Sequence, residues 1–274
     1  MLNTEMRNPK TMRFSFMDTK EMLQVMNDEN QCAVDAVRKE TQQIEKVVDL
    51  VSECFKRGGR LFYIGCGTSG RLGVVDAAEC PPTFGVEDTM VQGIIAGGIQ
   101  RMVSAGEHEE DNGEQGWRDM REHEPKAGDV VIGLSVAGGA RYVTEALAYA
   151  KSVQCITVGI TSNAGSPLSQ IADIAICPDT GAEVVTGSTR LKAGTAQKLI
   201  LNMISTCAMA KQGYVYENLM INLKPSNEKL KGRVVRIVQE LTGKDEETVL
   251  EYLNQNDWEI RKTVEQMKCL EGTR

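Results

Sequence analysis

The chain has 274 residues, room for one large domain or for one domain and a small companion, and 41% hydrophobic against 25% charged residues suffices for a sizeable core. Its formal charge of -7, without any run of Lys and Arg, argues against a nucleic-acid partner, because phosphate backbones are bound by basic surfaces. Eight scattered cysteines with no CxxC pair, only two histidines, no apolar leader and no run approaching ~18 apolar residues argue against a zinc site, a disulfide framework and a membrane span; they point to a reduced, cytoplasmic protein.

Residues 19–57 carry apolar side chains at helical spacing (Met22, Val25 and Met26, Ala33, Val37, then Ile44, Val47 and Val51), which predicts an all-helical N-terminal part. Five short, nearly continuous apolar runs follow, at 60–64, 90–96, 129–135, 155–161 and 173–178. Rich in Val and Ile, they read as parallel strands buried on both faces. Stretches of helical period separate them, such as Tyr142, Val143, Leu147 and Ala150, and supply right-handed crossovers. The expected fold is therefore α/β, with a doubly wound, five-stranded parallel sheet. Beyond Pro225 the pattern is helix without strand. Three short helices are predicted there, with Gly243 as a C-cap, Asp257 as an N-cap, and Val249, Leu250, Leu253, Ile260, Val264 and Met267 as a shared core. The expected domains are residues 1–225 and a lobe of residues 226–274, which is marginal on its own and is expected to dock on the main domain.

The first strand runs into FYIGCGTSGRLG, where Gly65, Gly67 and Gly70 satisfy the GxGxxG dinucleotide pattern. A dinucleotide site also wants an acid at the end of the second strand, but that strand ends in Ala96, Gly97 and Gly98. A Walker lysine is missing as well. What remains is a glycine turn, the hydroxyls of Thr68 and Ser69, and a helix start that favours an anion, which together describe a cradle for one phosphate. The competing reading is a tight turn whose serine only caps the helix. A second hydroxyl-rich turn, TGSTRLKAGTAQK at 186–198, sets Ser188, Thr189, Arg190 and Lys192 at the start of a long helix, where capping again competes with ligand binding.

GCGTSGRLGVVDAAECPPTFG, VQGIIAGG, GSTRLKAGTAQKLILNMIST and NLMINLKPSNEKL closely resemble the N-acetylmuramic acid 6-phosphate etherases of the sugar isomerase (SIS) superfamily. The resemblance runs from Thr4 through the three-helix tail, which is similar to a ubiquitin-associated bundle. It implies a flavodoxin-like SIS fold, a sugar 6-phosphate as substrate, no metal or organic cofactor, and a homodimer whose active site lies at the subunit interface. It further implies cleavage of the D-lactyl ether to give N-acetylglucosamine 6-phosphate and D-lactate. In that chemistry one carboxylate removes the C2 proton, a carboxylic acid helps lactate leave from C3, and water adds back.

By the same resemblance Glu79 matches the acid and Glu110 the base, while the two hydroxyl-rich turns and the loop after the third strand make Gly67, Thr68, Ser69, Ser135, Gly138, Ser188, Thr189 and Lys192 the expected substrate and phosphate site. Without it, Glu107, Glu109, Glu110 and Asp111 read as a solvated acidic face, and Glu79 as the end of a helix before Pro81. A helix from Ser69 to Glu79 would carry that carboxyl ~15 Å from the phosphate turn, so either the helix breaks or Glu79 serves a second subunit. One stretch departs from the family. Where the etherases read Ser-Gly-Arg-Thr-Pro-Tyr, this chain has Ala137, Gly138, Gly139, Ala140, Arg141 and Tyr142. Two hydroxyls and a guanidinium are missing; Ser135, Arg141 and the free N–H groups of Gly138 and Gly139 are the expected substitutes. The departure keeps open an alternative, a phosphosugar-binding regulatory protein of the same fold.

Overall fold

The Val- and Ile-rich runs form strands because helices cover both faces of the sheet they build. β1 (Leu61–Gly65), β2 (Val91–Ile95), β3 (Val130–Leu134), β4 (Ile156–Ile160) and β5 (Ile174–Ile176) pair in the order β2-β1-β3-β4-β5, parallel throughout. This is the expected doubly wound sheet. The computed structural model describes residues 2–104, 106, 108–225 and 227–271.

The helices are α1 (Thr19–Lys39), α2 (Thr41–Lys56), α3 (Gly67–Phe84), α4 (Gly113–Glu122), α5 (Arg141–Ser152), α6 (Pro167–Ile171), α7 (Lys192–Lys211), α8 (Glu228–Thr242), α9 (Glu246–Gln255) and α10 (Ile260–Glu271). None among the described residues is long and apolar enough to cross a membrane. A reciprocal capping box between Asp18 and Glu21 starts α1. On α5 the periodic residues Tyr142, Val143, Leu147 and Ala150 are fully buried, in a core that includes Phe62, Ile64 and Val131.

Residues Met1–Ala78 and Asp88–Ala208 form one compact unit, and Glu79–Glu87 with Met209–Arg274 form a second. The second unit is built on Val234, Val238, Val249, Leu253, Ile260 and Met267, with Leu250 and Val264 packed against them. It also takes in residues 209–225, where the Asn222 side-chain amide donates to Phe84 O at 2.5 Å. Gly243 ends α8 in the left-handed conformation expected of a C-cap. Asp257 does not cap α10: it and Trp258 take positive φ values of 51° and 62°, which turn the chain before the helix begins, whereas an N-cap needs extended backbone. The side-chain cap of this kind stands one helix earlier, where Asp245 accepts from Thr248 N at 2.9 Å.

Two local features position the rest of the first unit. The first is the crossing of α3 over β1: a Cβ on Gly70 would lie 2.4 Å from Gly65 O and 2.8 Å from Ile95 Cγ1, so only glycine lets the helix begin directly above the strand end. The second is a buried knot at Glu29, 2% exposed. Asn8 Nδ2 donates to it at 2.7 Å, Lys10 Nζ pairs with it at 3.0 Å, and Lys192 Nζ pairs with it from α7. Burial pushes the Glu29 pKa up, but hydrogen bonds from Lys192 and Lys10 outweigh it and hold the group below its ordinary 4.5. Asn8 and Thr11 also reach Ala182 O and Val184 O, at 3.1 and 2.9 Å.

Two outcomes follow from these features. Gly70→Ala should cost more than about 2 kcal/mol of stability, while Gly139→Ala, whose Cβ meets nothing within 4 Å, should stay within about 0.5 kcal/mol, as urea denaturation will read. Because the folded pKa of Glu29 is lowered, its stabilisation is present above pH 4.5 and lost as pH falls below it. Glu183, whose pKa burial raises, acts in the opposite direction and favours the fold as it protonates. Glu29→Gln should therefore flatten the loss of stability in acid, which a comparison of urea midpoints at neutral pH and below pH 4.5 measures.

Candidate active site

In a doubly wound sheet, ligands settle beyond the carboxyl ends of the strands where the strand order reverses. Here that point lies between β1 and β3. Gly65 pairs with Leu134, so the turns at 66–69 and 135–140 leave the sheet side by side, one strand spacing of ~4.8 Å apart.

The first turn opens α3, with Gly67 exposed and Thr68 half-buried, so its backbone N–H groups face a place where an anion is favoured. Ser69 is buried and neither caps α3 nor points to solvent: its hydroxyl donates to Gln197 Oε1 at 2.8 Å. That bond ties α3 to α7. A second tie lies two turns on, where Lys198 Nζ pairs with the buried Asp76 at 3.2 Å. Thr68 touches the same helix, since its Cγ2 lies 3.5 Å from where a Cβ on Gly194 would stand.

The start of α7 is capped from a distance. Glu183, fully buried, accepts from Lys192 N at 3.1 Å and Ala193 N at 3.0 Å, and burial pushes its carboxyl pKa up. With capping done by Glu183, the half-buried Ser188 and Thr189 are not needed for it. Lys192 is buried and its ammonium is paired with Glu29, so its charge is committed inside the unit.

The second turn differs from its expected form. Ser135 Oγ accepts the Gly138 N–H at 3.1 Å, so that N–H is not free for an anion. Gly138 has φ +74°, and a Cβ there would stand 2.1 Å from Ser166 Oγ. Thr161 and Asn163 hold the turn from behind by donating to Val136 O at 3.0 and 2.9 Å. Ala140 is packed in the core, and Arg141 is exposed and lines a 330 Å³ groove with Trp117, Arg118 and Arg121 of α4 and with Glu145. Gly139 is left as the exposed, unobstructed position of the turn.

Of the acidic run, Glu107 lies outside the described residues. Glu109 is spent on Arg101, at 3.1 Å, and Glu110 is exposed. Glu110 nonetheless sits by the first turn: burial, then the charges of Glu110, Glu109 and Asp111, push the Cys66 thiol up to about 12. The structure thus brings Thr68, Ser69 and the first turns of α7 together, and sets Glu110 where its charge is felt at Cys66. Glu79 is exposed on α3, which runs uninterrupted from Gly67 to Phe84. Gln197 and Glu29 escape a reading of the sequence, because each owes its role to a partner far along the chain; Glu183 escapes it because it caps α7 from nine residues upstream, outside any local cap pattern.

A family model for the glucokinase regulatory protein N-terminal SIS domain matches residues 42–151, and one for the SIS domain matches residues 124–206. Among solved structures, a phosphoheptose isomerase from Neisseria gonorrhoeae superposes with a TM-score of 0.54 at 17% identity over 70% of this chain and 100% of its own. A phosphoheptose isomerase from Francisella tularensis gives 0.51 at 13% identity, over 69% and 98%. Both show the fold. An N-acetylmuramic acid 6-phosphate etherase from Geobacillus sp. (strain WCH70) is 50% identical over 92% of this chain and 85% of its own. Another, from Yersinia pestis (strain Pestoides F), is 47% identical over 96% and 89%. Identity at that level across nearly the full length of both partners carries more than a shared fold, and by it this chain belongs to the N-acetylmuramic acid 6-phosphate etherase family.

Proposed function

We propose that the chain cleaves the D-lactyl ether of N-acetylmuramic acid 6-phosphate, releasing D-lactate and N-acetylglucosamine 6-phosphate in the cytoplasm. The near-full-length identity to etherases carries this reading. The model described for the glucokinase regulatory protein matches only residues 42–151, and no further observation favours a regulatory role.

In the open-chain sugar the C1 aldehyde acidifies the C2 proton. The Glu110 carboxylate takes that proton, the C3–O bond breaks as Glu79 protonates the departing lactate oxygen, and water adds across the resulting double bond. The phosphate is seated on the start of α3, on Thr68 and on the Ser188–Thr189 turn, with Gly67 giving the backbone room to approach it. Ser69 orients Gln197, Ser135 holds the second turn closed at Gly138, and Lys192 steadies the start of α7 through Glu29. Being remote from the ether, the phosphate contributes binding energy that orients C2 against its base.

The unbroken run of α3, at ~1.5 Å per residue, favours Glu79 acting in a second copy of the chain. Val75, four residues earlier and so on the same helical face, is 40% exposed, an apolar residue that a partner subunit would cover. We therefore read the enzyme as a homodimer with composite sites. The same reading keeps residues 226–274 as its ubiquitin-associated-like lobe.

The roles separate by experiment. Glu110→Gln should lower D-lactate release by about a hundredfold or more and stop exchange of the C2 proton with solvent. Glu79→Gln should block lactate release yet still allow exchange, as NMR in deuterated buffer reads; equal loss of exchange in both would reverse or void the assignment.

The second turn gives another test. Ala140 is packed in the core while Gly139 is open, so lost donors are best restored by Ala137→Ser with Gly139→Arg. Each regained hydrogen bond to a charged group is worth roughly 1.5–3 kcal/mol, about ten- to a hundredfold in affinity. Calorimetry with N-acetylglucosamine 6-phosphate should show that tightening, and unchanged affinity would mean that the turn does not face the phosphate.

A further inference from the structure

Gln197 is 2% exposed, and its Nε2 has no hydrogen-bond partner among the described residues. Its other end is fully used, because Oε1 accepts the Ser69 hydroxyl at 2.8 Å. Turning the amide over would only exchange an orphaned donor for an orphaned acceptor. Buried polar groups in folded proteins are almost always paired, and an unpaired amide bears the full cost of leaving water.

The location gives the orphan a purpose. Ser69 stands in the first turn of α3, so the free NH2 group lies at the helix start where an anion is favoured. Gly194, three residues before Gln197 and on the same face of α7, faces Thr68, whose Cγ2 would stand 3.5 Å from a Cβ placed there. One face of α7 therefore meets the phosphate turn with a glycine for close approach and, a turn further on, an unpaired donor. The start of α3, Thr68 and the Gln197 amide thus meet around Ser69, which fixes the amide by holding its oxygen.

We infer that Gln197 is a substrate-binding residue whose Nε2 donates a hydrogen bond to a phosphate oxygen of the sugar 6-phosphate, with Ser69 as the positioning residue that aims it. This rests on the reading that the start of α3 and Thr68 seat the phosphate, which Thr68→Val tests separately.

The experiment compares wild type, Ser69→Ala, Ser69→Ala with Gln197→Met, and Thr68→Val, each titrated with N-acetylglucosamine 6-phosphate and with inorganic phosphate and melted with and without ligand. In the double variant both members of the buried pair are apolar, so the ligand-free melting temperature should be unchanged or higher than in Ser69→Ala. Its affinity for both ligands should be lower than that of Ser69→Ala by about tenfold or more. A purely structural amide predicts the reverse, a lower melting temperature at unchanged affinity. Equal affinities of Ser69→Ala and the double variant overturn the inference even if Thr68→Val binds weakly. A loss confined to the sugar phosphate, with inorganic phosphate unaffected, overturns the phosphate contact and moves the amide to a sugar hydroxyl. Unchanged binding by Thr68→Val counts against the phosphate seat alone, because the affinity difference across the amide is read independently.

Discussion

Everything at the carboxyl edge of the sheet depends on one close approach, the start of α3 lying directly on the end of β1. A methyl group on Gly70 would stand 2.4 Å from Gly65 O, inside any tolerable contact. Because the helix begins so low, its first N–H groups and Thr68 lie at the crevice beside the turn that follows β3, while Ser69 turns inward to Gln197. α7 then closes against this start through Ser69–Gln197 and Lys198–Asp76. Glycine is needed here for proximity, which is why a dinucleotide pattern appears in a chain without the acid that a dinucleotide requires.

Around that start, polar groups divide between those the fold consumes and those it leaves open. Lys192 is consumed by Glu29, the Ser69 proton by Gln197, the Gly138 N–H by Ser135, and the first N–H groups of α7 by Glu183. Each of these holds something in place. Thr68, Ser188, Thr189, Gly139 and Glu110 are partly or fully exposed and remain available for chemistry. Capping and ligand binding compete for the same hydroxyls in sequence, and the competition is decided by a carboxylate nine residues upstream of α7.

The strands were legible because a central parallel sheet leaves no polar face to confuse the pattern; four predicted runs contain their strands, and the first misses only Gly65, the last residue of β1. The first two helices and the tail core were legible through spacing alone. Asp257 was misread because a local cap signature preceded a turn that demands two left-handed residues, a requirement no single side chain announces. The two carboxylates proposed for catalysis were visible only through resemblance, since Glu110 is one acid in a run and Glu79 one acid at a helix end. Gln197 and Glu29 have no local signature; their partners lie 128 and 163 residues away.

The contact of Asn8 with Ala182 joins groups 174 residues apart. On a ribosome adding about 5–20 residues per second, the first turn of the chain waits roughly ten to thirty seconds for its partner to emerge. All five strands have been synthesised by then, so their pairing does not wait on this contact. Contacts of such sequence separation are slow to form and are made after the local ones. A bulky group fused ahead of Asn8 should therefore bear on this long-range closure more than on the pairing of the sheet.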